Sequence, residues 1–182
     1  AGKTFYDSSL NFFPINKVTS IDGLIITHAH ADAIGGLDDL RDWTNNSQKN
    51  IEVFIRKIDY SAVDKMFFYL TKKKYFSKGG VAKLNFNIIN SNTFDVSKIS
   101  FTPIPVMHGK SNKIFGYKFG NTAYISDVSK IPESSKYLLN NLDLLIIDAL
   151  RPERTHGTHF TLEEAIEQIK IHKPKKALLT NA

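Results

Sequence analysis

The chain has no cysteine in its 182 residues. Disulfides are thereby excluded, and so is a thiolate zinc site, so any transition metal must be held by His, Asp or Glu. No apolar run approaches the length of a membrane span. Ala1-Gly2-Lys3 shows no sign of a signal peptide. These absences give the expectation of an intracellular chain, cytoplasmic or also nuclear, with no membrane partner. Acidic residues are the scarcer sign, 18 Asp and Glu against 24 Lys and Arg, for a formal net charge of +6. The excess suits a phosphorylated or nucleic-acid partner, but a composition rich in Lys and Asn produces it without one. The rest is ordinary, 42% hydrophobic and 23% charged, which fits one globular domain with a sizeable core.

The chemistry gathers at the end of an apolar strand. After Leu24-Ile25-Ile26 come Thr27-His28-Ala29-His30-Ala31-Asp32-Ala33. His28, His30 and Asp32 alternate with small alanines, and extended backbone would place all three side chains on one face. Two imidazoles and a carboxylate are nitrogen and oxygen ligands suited to a borderline divalent ion such as zinc or manganese. H-x-H-x-D alone would equally describe an exposed polar loop. The flank that follows, Ile34-Gly35-Gly36-Leu37-Asp38-Asp39-Leu40-Arg41, makes the pattern specific.

The whole run resembles the metallo-β-lactamase-fold hydrolases. It is nearest to their cyclic-phosphate phosphodiesterase-like branch, in which T-H-x-H-A-D-x-x-x-G-L-D-D-L-R recurs. The resemblance implies an α/β fold, a four-layer αββα sandwich with two sheets back to back and helices outside. It also implies a single domain over residues 1–182 that is incomplete at both ends, since two strands would precede Gly2 and another segment would follow Thr180. The superfamily pattern is H-x-H-x-D-H, and Ala33 stands where its last histidine would be. T-H-A-H-A-D-A is similar to a eukaryotic subgroup of hydrolases with the same substitution.

Further site residues follow from the resemblance. His108, where a strand gives way to Gly109, matches the third metal histidine. Asp127, in Tyr124-Ile125-Ser126-Asp127, matches an aspartate that bridges two metal positions. His159, before Phe160-Thr161-Leu162, matches a histidine expected to act as general acid. The implied metal ligands are thus His28, His30, Asp32, His108 and Asp127, and the implied catalytic residues Asp32 and His159. No histidine follows the last strand, so two usual ligands of a second metal are missing. One or two divalent ions, zinc or manganese, are expected per chain. Asp38, Asp39 and Arg41 are either a solvated face or braces for the ligand loop.

Periodicity supplies the elements. Lys3 to Tyr6 has strand character, and Ile21 to Thr27 reads as the first clear strand. Ala33 to Trp43 reads as a helix that Asp32 could cap. Ile51 to Ile55 alternates as a strand, and Asp59 to Leu70 follows as a helix. Lys72-Lys73-Lys74 with Tyr75-Phe76 forms a basic loop ending at Gly79-Gly80, able to bind phosphate or single strands but more simply solvated. Strands follow at Leu84 to Asn90 and Ile99 to Val106, where Pro103 and Pro105 point to an edge or a bulged end. Ile114 to Phe119 and Asn121 to Ser126 make a hairpin around Gly120-Asn121. After Pro132, a helix through Lys136 to Asn140 leads to the most apolar strand, Leu142 to Asp148. Asp148 could support the site by hydrogen bonding, or Arg151 could hold substrate phosphate. Thr161 and Glu164 form a capping box for a helix ending before Lys173-Pro174. His172 at its end would carry a charge favourable to the helix dipole. Lys176 to Thr180 is the final strand.

Chemically, a bound divalent ion brings its water near neutrality and polarises a phosphoryl oxygen, so that a hydroxide can attack phosphorus. Asp32 would orient it, and His159 would protonate the departing alkoxide. The expected function is a metal-dependent phosphodiesterase acting on a small or cyclic phosphate ester. A tRNA-processing type of nuclease in the same superfamily, and a non-catalytic metal-depleted domain or fragment, are the alternatives.

Overall fold

The computed structural model describes residues 1–47, 50–72, 74–75 and 80–181. Of the basic loop, Lys73 and Phe76 to Gly79 lie outside the described residues. The chain forms two compact units, Ala1–Asn90 and Ser91–Ala182.

In the first unit, β1 (Leu24–Ile25), β2 (Ile51–Arg56) and β3 (Leu84–Ile89) form a parallel sheet in that order. On β2, Ile51, Val53 and Ile55 are fully buried while the residues between them are half-buried, the period-two signature of one core-facing surface. On the other surface Glu52 accepts from Asn85 Nδ2 at 2.8 Å and from Asn87 Nδ2 at 2.6 Å. Each buried Val or Ile of this sheet contributes about 1.5–3 kcal/mol.

The helices of this unit depart from expectation. Lys3 to Tyr6 is no strand: α1 runs over Phe5–Phe12. A short aromatic run is ambiguous between periods, and here Phe5, Ser9 and Phe13 share the inner face. Phe13 meets Phe5 at 6.0 Å and Trp43 at 5.3 Å between ring centres. Nor is Ala33 to Trp43 one helix. It is divided into α2 (Ala31–Ile34), a 3-10 turn at Asp38–Leu40 and a π turn at Trp43–Ser47. The reason is Gly36, whose N–H leaves the helical ladder to donate to Ala1 O at 3.1 Å. A Cβ there would collide with Gly2 O. Asp32 lies inside α2 and does not cap it, since the N-cap is His30, which gives no side-chain cap bond. The first strand is also shorter than Ile21 to Thr27, although Ile26 still donates its N–H to Phe54 O at 2.9 Å. The expected Asp59 to Leu70 helix is broken at Phe67, φ −125°, into α3 (Lys57–Met66) and α4 (Phe68–Thr71).

The second unit is a six-stranded sheet in sequence order: β4 (Phe94–Val96), β5 (Ile99–Met107), β6 (Lys113–Phe119), β7 (Thr122–Ile125), β8 (Leu144–Asp148) and β9 (Lys176–Thr180). Pairing is antiparallel from β4 to β7 and parallel from β7 to β9. β4 went unanticipated because its two-residue turn, Ser97-Lys98, lacks the usual glycine, and Ser97 itself takes φ +55°. Pro103 and Pro105 lie beyond the reach of β4, where β5 pairs with β6. The hairpin at Gly120-Asn121 is as expected, with Gly120 at φ +53°. Pro132 occupies the N-cap position of the short α5 (Glu133–Lys136), without a side-chain cap bond. The core holds Ile104, Val106, Ile125, Leu145, Ile147 and Phe160.

Helix α6 (Leu162–His172) begins with the expected capping box. Glu164 N–H donates to Thr161 Oγ1 at 3.2 Å, and Thr161 N–H to Glu164 Oε2 at 2.8 Å. His172 differs from its expected role. It is buried, and burial, followed by the nearby Lys136 ammonium, holds its pKa below the ordinary 6.5. Neutral imidazole therefore ends α6, and the helix dipole meets no histidine charge there.

Candidate functional site

In the first unit the end of β1 delivers His28 and His30. Their rings meet edge to face, 4.5 Å between centres. His28 is buried and His30 exposed. The Thr27 hydroxyl lies 3.1 Å from His28 Nδ1. Asp32 is exposed in the first turn of α2, and its carbonyl accepts from Lys3 N–H at 2.9 Å. The loop is held by a residue the sequence did not single out, Asp59. One of its oxygens accepts from Ala29 N–H, between the two histidines, at 3.1 Å. The other takes the Arg56 guanidinium, and both side chains are largely buried. The proposed braces behave otherwise: Arg41 donates to Gly80 O at 3.3 Å and stands 4.0 Å from Asp38.

In the second unit two strand ends and the loop before α6 converge. His108 follows β5, Asp127 follows β7, and His159 precedes α6. Ligand atoms of the three lie within 4.8 Å of one another. His108 Nδ1 is 2.7 Å from Thr158 O. A carbonyl only accepts, so Nδ1 carries the proton and Nε2 becomes the ring's acceptor nitrogen, the tautomer a metal ligand needs. Asp127 accepts the Ser126 hydroxyl at 2.6 Å. His159 Nδ1 lies 2.8 Å from Asp148 Oδ2 and 3.7 Å from Asp127 Oδ1.

Asp148 is the hub of this cluster and is fully buried. Oδ2 also accepts from Val128 N–H at 2.9 Å, and Oδ1 accepts from Asn181 Nδ2 at 3.0 Å. Burial pushes its carboxyl above the ordinary 3.8, while Val128 N–H, Asn181 and His159 pull it back down. Asn181 also reaches Ser126 O at 2.5 Å. Register explains the meeting: β8 and β9 pair Asp148 with Thr180, so the residue after β9 arrives beside the end of β8.

The expected residues thus fall into two sets. His28 and His30 sit together on one loop with Asp32 two residues on, and His108, Asp127 and His159 form a cluster in the second unit. Asp148, named from sequence only as a weak support, bonds to Val128, His159 and Asn181. Asn181 and Asp59 were missed. An Arg-x-x-Asp at the start of α3 was the available signal for Asp59. His156 is exposed, with Nδ1 2.9 Å from Thr158 Oγ1. Two imidazoles and a carboxylate at this mutual distance form a donor set that fits a borderline divalent ion.

Residues 4–180 match a family described as "Beta-lactamase superfamily domain". An octanoyltransferase of Porphyromonas gingivalis is 30% identical over 163 residues, 89% of this chain and 32% of that protein. This chain therefore spans about a third of that relative, whose name describes the whole. Among solved structures, a diphosphatase from the PhnP family superposes with a TM-score of 0.84 at 29% identity, over 98% of this chain and 65% of that one. Human tRNase Z, short form, superposes at 0.66 with 18% identity, over 88% of this chain and 71% of that one. The last likeness shows the fold alone.

Proposed function

This chain belongs to the β-lactamase superfamily, with the metallo-β-lactamase fold of its hydrolases, and on that premise we propose that it is a metal-dependent phosphodiesterase acting on a small or cyclic phosphate ester. The observation that carries the reading is the cluster of His108, Asp127 and His159 around the buried Asp148. The likeness to a diphosphatase supports phosphate as the chemical class.

His28, His30, Asp32, His108 and Asp127 are the proposed ligands of zinc or manganese, one or two ions per chain. A divalent ion supplies Lewis acidity, polarising a phosphoryl oxygen and acidifying water. Asp32 orients the attacking water. His159 holds its proton for the leaving alkoxide at Nε2, because Nδ1 is committed to Asp148. The carboxylate fixes the orientation of the ring, which a general acid needs. No serine or cysteine nucleophile is required.

The nearness of His159 to His108 and Asp127 favours one other role for it, that of a ligand. A His159→Ala protein that keeps its metal but loses the leaving-group step identifies the acid, and one that loses its metal identifies the ligand. The function itself is tested with bis-p-nitrophenyl phosphate. Nitrophenol release that stops on chelation, returns with zinc or manganese and is absent from His108→Ala is expected. A rate indifferent to chelation would contradict the proposal.

A further inference from the structure

Asn181 enters the cluster of the second unit from the end of β9. The backbone fixes its place, since Thr180 pairs with Asp148 and Ala149 N–H donates to Thr180 O at 2.9 Å. Asn181 then takes φ +68°, a left-handed conformation that asparagine, aspartate and histidine adopt more readily than other side chains. Its Nδ2 lies 2.5 Å from Ser126 O, 3.0 Å from Asp148 Oδ1 and 3.5 Å from Asp127 Oδ1.

The shortest of these contacts decides which end of the amide faces the cluster. A peptide carbonyl can only accept, so the atom beside Ser126 O must be the nitrogen. The amide therefore presents hydrogens to Asp127 and Asp148, and no lone pair that could ligate a cation. Two carboxylates brought this close repel one another unless donors or a cation stand between them. Here the donors are side chains of this chain. Asn181 Nδ2 is shared between the two carboxylates, and His159 Nδ1 lies 2.8 Å from Asp148 Oδ2 and 3.7 Å from Asp127 Oδ1.

We propose that Asn181 limits this chain to a single divalent ion, its amide hydrogens occupying the side of Asp127 and Asp148 where a second ion would need a ligand. The inference rests on the reading above in which Asp127 is a metal ligand, and it narrows one or two ions to one. In two-ion centres the departing oxygen is stabilised by a cation. With a single ion, the departing alkoxide depends on the proton of His159.

Asn181→Asp and Asn181→His are the decisive variants. Both side chains tolerate the left-handed backbone and put a lone pair where the amide has hydrogens. Metal content is counted by elemental analysis after equilibration with zinc or manganese and removal of unbound ion, and by calorimetric titration of each metal into the apoprotein. The wild type should hold one ion per chain and each variant two. Without metal, Asn181→Asp should melt below the wild type, because a third carboxylate joins Asp127 and Asp148. Manganese should then raise its Tm by more than it raises that of the wild type.

Two ions in the wild type would overturn the proposal, and so would folded variants that still hold one. If neither variant folds, the wild-type count decides alone. No ion in the wild type would overturn the metal-binding reading and this inference with it. One ion in the wild type and two in the variants, with bis-p-nitrophenyl phosphate left intact by all three proteins, would keep the one-ion centre and overturn the phosphodiesterase reading.

Discussion

The Asp148 carboxylate accepts from Val128, His159 and Asn181 at once, in a position with no exposed surface. Replacing one of its oxygens by an amide turns an acceptor into a donor facing N–H groups. Asp148→Asn should therefore lower either metal affinity or kcat about 10- to 100-fold, the range for partners that orient a ligand or catalytic histidine. Kinetics on bis-p-nitrophenyl phosphate beside metal content would measure it. Asp59 has the same kind of position in the first unit. Asp59→Ala leaves Arg56 buried without its carboxylate and Ala29 N–H without its acceptor, and should cost about 3 kcal/mol in a denaturant titration. His28, His30 and Asp32 were legible because their spacing is local and specific. The roles of Asp59 and Asn181 were not, because they depend on partners 30 and 33 residues away that no local pattern encodes.

Among the elements, α6 shows what local sequence can and cannot announce. Its capping box is a four-residue signal, and Thr161→Ala should cost about 1 kcal/mol, measurable as a lower urea midpoint. His172, at its other end, read as a solvated charge from position alone. Tertiary packing overrides that reading. Its folded pKa lies below 6.5, chiefly through burial and then through Lys136, with Glu133 opposing. On acidification the unfolded chain takes up the proton first. This residue's effect is therefore absent above about pH 7, and stability falls as pH drops from the unfolded value through the folded one. Urea midpoints at pH 7.5 and 5.0 should differ less in His172→Leu than in the wild type. An equal drop in both would refute the neutral buried imidazole. Two of the misread helices have one cause in common. In α1 and α2 the deciding bonds and ring contacts, Gly36 to Ala1 and Phe13 to Trp43, join residues distant in sequence.

For the whole molecule, part of the positive excess behind the +6 charge has a location, since three lysines line one concavity and none of its described lining residues is acidic. The fold was legible because the motif from Thr27 to Arg41 resembles a family whose description matches residues 4–180. The sheet orders were not legible, for period-two patterns specify a strand's faces but not its neighbours. Among the described residues no helix is long and apolar enough to cross a membrane. Of all the tests, elemental analysis of the purified wild type beside His28→Ala and His108→Ala bears most directly on metal dependence. At least one zinc or manganese ion per wild-type chain, with clearly less in each variant, is the predicted result. Wild-type protein that neither contains nor takes up a divalent ion would contradict it.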